Sequence, residues 1–379
     1  DEGDVRTARL TRPPIHLLAK AVDRALAGEP AELGEAVREV AANLSQVVPL
    51  PIASLVAATL ERVPDLPRRS RKILSVPPTD NVLPSWIPPR RTLGGFYVLR
   101  SLGKGGVGSV FVAKRVEERN DPAAESFALK VPEYDESAAR HMSEADFLKM
   151  FQSEATALLS LPMHQNLARF VTFDLGLRPK PILVMELVDG VTLEMLIARR
   201  QLTTERALGI LDGVLGGLEA MHSVGVAHLD LKPTNVVMRQ GKEPVLVDFG
   251  LAGRHIRLGC GSGPYGAPEI WGLVTDDEPA SPTPADVYAV ACLTYETLTT
   301  QPLFDQTTEM DLIQGHMSHD GWPTPLRSWY RQKEVALLAQ LVGHCLRRNP
   351  GERIDVARFR KDLAKLVPEL SKLPWPLNP

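Results

Sequence analysis

The sequence predicts an α+β fold in which a β-rich segment is followed by a longer helical one, behind a small separate helical module. Three observations carry that prediction. From Gly95 onward, FYVLRSLGKGGVGSVFVAKRV alternates apolar and polar residues on both sides of a glycine-rich turn, the pattern of a β-hairpin. Leu193 to Arg199 and Thr204 to His222 read as helices. Past them, a tight polar loop from Asp230 to Asn235 is followed by two short β-rich runs, Val236 to Met238 and Val245 to Val247, joined by a GKEP turn.

Composition narrows the function classes. With 379 residues the chain has room for about two to three domains, and 44% hydrophobic with 23% charged residues fits a soluble globular protein. A net charge of -3 gives no reason to expect nucleic acid or an anionic membrane as partner. Cys260, Cys292 and Cys345 are widely spaced and odd in number, which indicates neither a disulfide framework nor a zinc site and fits a reducing cytoplasm. No apolar run reaches the length of a membrane span, and no signal peptide is evident. Because the chain starts at Asp1 rather than Met, a processed form or a piece of a longer protein is expected.

In chain order, residues 1–63 form the helical module, with three amphipathic helices between Pro13 and Val63. Leu18, Val22, Ala25 and Leu26 mark the first apolar face, and Leu33, Ala36, Val37, Val40, Leu44 and Val48 the second. Gly28, Pro30, Pro49 and Pro51 separate the helices. The module reads either as an extension packed on the next domain or, with the linker, as a regulatory, partner-docking unit over residues 1–92. Residues 64–92 form that linker, extended and rich in proline, with Arg68, Arg69, Arg71 and Lys72 as a solvated basic run.

The glycines of the hairpin turn, Gly103, Gly105, Gly106 and Gly108, lack Cβ atoms and let backbone amides approach phosphates, and Val110 offers an apolar surface beyond them. FALKV follows as a strand ending near Lys130, and a helix from about Ser143 to Leu159 carries Glu154 on an apolar face with Phe147, Phe151, Ala155 and Leu158. Asp230, Asn235 and Asp248 converge at one mouth beside Lys232. Magnesium takes oxygen ligands, commonly one or two carboxylates completed by phosphate oxygens and water, so Asn235 and Asp248 suit that metal while Asp230 faces a nucleophile.

HLDLKPTN followed by DFG resembles the catalytic loop and metal motif of the eukaryotic-type protein kinases, H-R-D-L-x-x-x-N and then D-F-G, with Leu229 in place of the arginine. GKGGVGSV resembles that family's glycine-rich loop and FALKV its V-A-I-K strand. The resemblance runs from about Gly95 to Leu366. It implies a bilobal kinase fold over 93–370, with a small β-rich lobe over about 93–186, a larger helical lobe over about 190–370, and a C-terminal tail over 371–379.

By the same resemblance, Gly103, Lys104, Gly105, Gly106, Gly108 and Val110 cover ATP, Ala128 lies beside the purine, and Lys130 reaches the α- and β-phosphates. Glu154 is the partner of Lys130, with Glu144 as competitor. Met185 controls the adenine pocket, Glu186 to Val188 present backbone groups to adenine, and Val237 completes the nucleotide site. Asp230 orients and deprotonates the acceptor hydroxyl, Lys232 stabilises the phosphoryl group in transit, and Asn235 and Asp248 hold Mg2+. His228 packs on Phe249, Ser262 supports Asp230 and Lys232, Glu269 pairs with Arg353, and Asp286 lies in the following buried helix.

The activity so implied is ATP-dependent transfer to Ser or Thr hydroxyls of a protein substrate, its own included, with Lys232 favouring Ser/Thr over Tyr. A pseudokinase scaffold and a small-molecule kinase are the alternatives. Retention of Lys130, Asp230, Asn235 and Asp248 opposes the first, and the substrate-docking segment GSGPYGAPE opposes the second. Leu229 cannot bind a phosphate, so activity independent of phosphorylation of the segment between Asp248 and Glu269 is expected; the alternative is that Leu229 is a neutral packing substitution and Arg254 or Arg257 binds a phosphate carried elsewhere. The Ala-, Arg-, Pro- and Gly-rich character suggests a bacterial source.

Overall fold

The computed structural model describes residues 83–105, 108–134, 143–256, 262–272 and 281–378. The helical module expected over 1–63, and the linker up to residue 82, lie outside the described residues.

Six antiparallel strands form one sheet: β1 (Thr92–Leu93), β2 (Phe96–Gly105), β3 (Gly108–Arg115), β4 (Phe127–Pro132), β5 (Phe170–Asp174) and β6 (Ile182–Glu186), in the order β1-β2-β3-β4-β6-β5. The two-residue period of a strand sorts β4 directly. Phe127, Leu129 and Val131 are buried against Val98, Phe111 and Val184, while Ala128 and Lys130 point to the opposite face. Burial of side chains this large contributes about 1.5–3 kcal/mol each. Gly108 opens β3 at φ 150°, where a Cβ would lie 2.2 Å from the Val131 carbonyl oxygen, so the hairpin can return against β4 only through glycine.

Helix α1 (Glu144–Leu159) is capped by Ser143, whose side chain accepts a hydrogen bond from the Asp146 amide at 3.2 Å. Its buried residues Phe147, Phe151, Glu154, Ala155 and Leu158 recur at helical spacing, so one polar side chain shares the inward stripe.

The second lobe holds a three-stranded sheet of β7 (Gly190–Thr192), β8 (Val236–Arg239) and β9 (Glu243–Leu246). Seven further helices complete it among the described residues: α2 (Leu193–Ala198), α3 (Thr204–His222), α4 (Thr283–Thr299), α5 (Glu309–Met317), α6 (Thr324–Tyr330), α7 (Ala336–Cys345) and α8 (Val356–Leu370). α4 is buried almost all round, the condition of a helix at the centre of a core, and α3, α7 and the C-terminal part of the chain pack about it.

Two readings shift. The β8-β9 turn is Gln240 to Lys242, with Gln240 and Gly241 at positive φ, and Glu243 and Pro244 belong to β9 rather than to the turn. β9 is an edge strand, where proline's missing N–H breaks no inner ladder, and the Pro244 carbonyl accepts from the Asn166 side-chain amide at 2.7 Å. The segment read as a tail lies against the helical lobe: the Leu377 amide donates to the Leu298 carbonyl at 2.8 Å and the Trp375 indole to that of Thr297 at 2.9 Å. No helix among the described residues is long and apolar enough to cross a membrane.

Candidate active site

A cleft of about 620 Å³ opens between the lobes. Its roof is the β2-β3 hairpin and β4, which bring Gly103, Gly108, Val110, Ala128 and Lys130 to it. Met185, Glu186 and Val188 line its back, Val237 of β8 its floor, and Asp230, Lys232 and Asp248 its mouth. Gly105 pairs with Gly108 across the hairpin and Lys104 with Ser109, while Gly106 and the Lys104 side chain lie outside the described residues.

The phase of α1 settles the partner of Lys130. Its Nζ lies 2.8 Å from Glu154 Oε1, and the Glu154 side chain is 1% exposed. Glu144 sits exposed in the first turn of the same helix. Asp248 Oδ1 stands 4.0 Å from Lys130 Nζ, and its half-exposed carboxylate faces the cleft. Asp248 (φ 57°) and Leu229 (φ 63°) both adopt left-handed backbone, uncommon outside glycine and a local cost held by the surrounding contacts.

Those contacts are visible at the catalytic loop. The wholly buried Asp286 carboxylate on α4 accepts from the amides of His228 at 2.7 Å and Leu229 at 2.8 Å, and lies 2.8 Å from His222 Nε2. His228 Nε2 donates to the Val247 carbonyl at 3.1 Å and its Nδ1 accepts from the Asp230 amide at 3.3 Å, with the ring 5.3 Å from that of Phe249. A leucine suits position 229 because the side chain is buried in the large-lobe core.

Three donors surround the Asp230 carboxylate. Ser262 Oγ donates to Oδ1 at 2.7 Å, and Lys232 Nζ and Asn235 Nδ2 donate to Oδ2 at 2.8 and 3.1 Å. Lys232 also donates to Ser262 Oγ at 2.9 Å, and Asn235 to the Asp230 carbonyl at 2.8 Å. The network keeps one carboxylate pointed at the cleft mouth with an ammonium beside it. Asn235 is buried behind the cleft lining; it spends its N–H donors on Asp230, and its amide oxygen accepts only a long bond from the Thr234 hydroxyl, at 3.4 Å. No cluster of three or more His, Cys, Asp or Glu suited to a metal occurs among the described residues. An amide oxygen and one carboxylate are the donor set of an open magnesium site completed by phosphate oxygens, so the residues fit that ion.

The segment after Asp248 is tied down at its far end. Tyr265 donates its hydroxyl to Glu296, and burial together with that carboxylate keeps the phenol protonated far above its ordinary range. Arg353 Nη1 and Nη2 donate to the two oxygens of Glu269 at 2.6 and 2.8 Å in the buried core.

Sequence reasoning missed several residues here. His222 offered no motif, yet it meets Asp286 64 residues away. Leu102, Ala168, Val247 and Leu251 also line the cleft, and nothing in their local pattern separates a lining residue from core.

The protein kinase domain model matches residues 96–362. The serine/threonine-protein kinase PknL of Mycobacterium bovis is 31% identical over 297 residues, covering 75% of this chain and 69% of PknL. PkaA of Streptomyces coelicolor, also named a serine/threonine-protein kinase, is 32% identical over 297 residues, 72% of this chain and 50% of PkaA. Pkn1 of Myxococcus xanthus is 28% identical over 291 residues, 73% of this chain but 39% of its own length. With its glycine-rich hairpin, paired lysine and glutamate, and catalytic loop gathered in one cleft, and with most of its length matched, the chain belongs to the protein kinase domain family.

Proposed function

We propose that the cleft transfers the γ-phosphate of ATP to a serine or threonine hydroxyl of a protein, with Asp230 as base. The observation that carries this reading is the Asp230 carboxylate held by Ser262, Lys232 and Asn235 at the mouth of a cleft whose roof presents the Lys130 and Glu154 pair. Phosphoryl transfer asks little covalent chemistry of a protein and much positioning and charge stabilisation, which is what these residues can supply. The acceptor oxygen bonds to the γ-phosphorus as the bond to the β,γ-bridging oxygen breaks, ADP leaves, and the hydroxyl proton passes to Asp230. Lys130, fixed by Glu154, holds the α- and β-phosphates. Gly103, Gly105, Gly106 and Gly108, with Lys104, cover them, and Val110, Ala128, Met185, Val188 and Val237 enclose the adenine with the backbone of Glu186. Lys232 offsets negative charge on the group in transit. Asn235 and Asp248 would hold magnesium, which when bound neutralises charge on the phosphate oxygens.

Three bacterial relatives named as serine/threonine-protein kinases, together with Lys232 beside the base, support Ser/Thr over Tyr as acceptor. Buried, unpaired Cys292 and Cys345 suit a reducing compartment such as the cytoplasm. The test is incubation of the purified chain with γ-labelled ATP, magnesium and a generic basic protein, beside Asp230→Asn. Label transfer should fall by roughly two to four orders of magnitude in the variant, the share of a positioned base, with nucleotide affinity little changed. Equal transfer by both chains would refute the reading.

A further inference from the structure

Beneath the segment that carries Ser262 runs a buried chain of hydrogen bonds that the phosphoryl-transfer chemistry does not itself use. His316 on α5 is wholly buried, and its Nε2 lies 2.8 Å from the Gly263 carbonyl oxygen. On its other side, the Tyr288 hydroxyl of α4 lies 2.9 Å from His316 Nδ1 and 3.3 Å from Nε2 of His319. Phe304 closes the cluster, its ring centroid 4.0 Å from that of His316 and 5.5 Å from that of His319.

The protons in this chain have one arrangement. A carbonyl oxygen can only accept, so His316 Nε2 carries the hydrogen and, in the neutral ring, Nδ1 must accept. The Tyr288 hydroxyl therefore donates to Nδ1, and its oxygen accepts from His319 Nε2–H. His319 Nδ1 is then the bare nitrogen, and it has no hydrogen-bond partner among the described residues. Burial holds both imidazoles neutral, at about 4, and keeps the Tyr288 phenol protonated.

The fixed donor acts one peptide away from the catalytic groups. Gly263 begins the short turn Gly263–Tyr265, and a Cβ on it would lie 3.0 Å from Leu312 of α5, so the segment sits tightly on that helix. Ser262, the residue before it, donates to Asp230 Oδ1 at 2.7 Å and accepts from Lys232 at 2.9 Å. We propose that His316 is a positioning residue for phosphoryl transfer: its Nε2–H sets the Gly263 peptide and through it the Ser262 hydroxyl that orients Asp230 and Lys232, while Tyr288 and His319 fix its tautomer. The inference rests on the reading of Asp230 as the base.

The experiment is a double-mutant cycle on kcat in the full chain. His316→Leu removes the shorter of the two donors to the Gly263 carbonyl, leaving the Gly266 amide at 3.4 Å, and should lower kcat roughly tenfold or more, since small misplacements of catalytic groups cost up to about a hundredfold. KM for ATP should hold within about twofold. His316→Gln retains an N–H donor of similar reach and should recover most of that loss. In a Ser262→Ala background, His316→Leu should cost less than about twofold more, because the group it acts through is gone. Tyr288→Phe, which removes only the hydroxyl, should show the same dependence on Ser262 and serves where His316→Leu does not fold. Equal fold-losses for His316→Leu, or for Tyr288→Phe in its stead, with and without Ser262 would overturn the inference, as would a Gln variant no better than Leu. Asp230→Asn in the same assay separates the two readings: an inactive Asp230→Asn with non-coupled His316 refutes only the positioning role, whereas a fully active one refutes the base.

Discussion

Arg353→Met should destabilise the protein more than any conservative change at its partner. The Arg353 side chain is 0% exposed and that of Glu269 2% exposed, so both charges are out of water. Among the described residues both Glu269 oxygens bond only to Arg353. Arg353 in contrast also donates to the carbonyls of Pro284 at 2.8 Å, Arg347 at 2.7 Å and Arg348 at 3.2 Å. Removing the arginine strands a buried carboxylate and three carbonyls, and breaking a buried pair this way costs about 3–5 kcal/mol. At about 2–4 °C per kcal/mol for a large domain, the melting temperature should fall by roughly 10 °C. Glu269→Gln leaves the guanidinium with three carbonyl acceptors and should cost less. Pairing Glu269→Leu with Arg353→Met removes both charges and should recover a large part of the single-variant loss. The assay is thermal unfolding followed by tryptophan fluorescence in wild type, the single variants and the double. A Met variant within about 2 °C of wild type, or losses that simply add in the double, would refute this account of the pair.

Other predictions are independent of that pair. Lys130→Met and Asp248→Asn should each abolish label transfer from ATP while circular dichroism stays that of the folded chain; transfer at the wild-type rate in both would sink their assignment to the nucleotide and its metal. Phosphatase treatment, with mass spectrometry confirming residues 248–269 free of phosphate, should leave the initial rate unchanged, because Leu229 is buried and the Arg254 guanidinium is taken up by the Val224 carbonyl and Ser160. A rate that collapses and returns only as Ser262 or Tyr265 regains phosphate would contradict that. Stability should fall as pH drops from about 6.5 toward 4. His316 and His319 have folded values near 4, below the ordinary 6.5, so the unfolded chain binds their protons first. Each histidine should cost about 2 kcal/mol between pH 7 and 5. Melting curves across that range should show a shallower slope in His316→Gln, and an unchanged slope would argue against a neutral buried His316.

How much of this could be read from the chain alone follows from distance along it. HLDLKPTN and DFG lie within one stretch, so the spacing of Asp230, Lys232, Asn235 and Asp248 already carried the chemistry that the loop geometry brings together. FALKV and the stretch around Glu154 resemble the family's lysine strand and its partner helix, and the helix period puts Glu154 on the inner stripe of α1, which is why the pair was legible before its 2.8 Å contact. Small errors came from turns: Pro244 looks like a loop residue until β9 proves to be an edge strand. What only the tertiary structure decided are meetings between residues whose own patterns say nothing. Asp286 receives the backbone of His228 and Leu229 from 58 and 57 residues away, and His316 reaches Gly263 across 53. Ala168 and Val247 enter the cleft as apolar residues no different in sequence from core. A buried polar side chain is distinguished by the partner it finds, and that partner exists only once the lobe has folded around it.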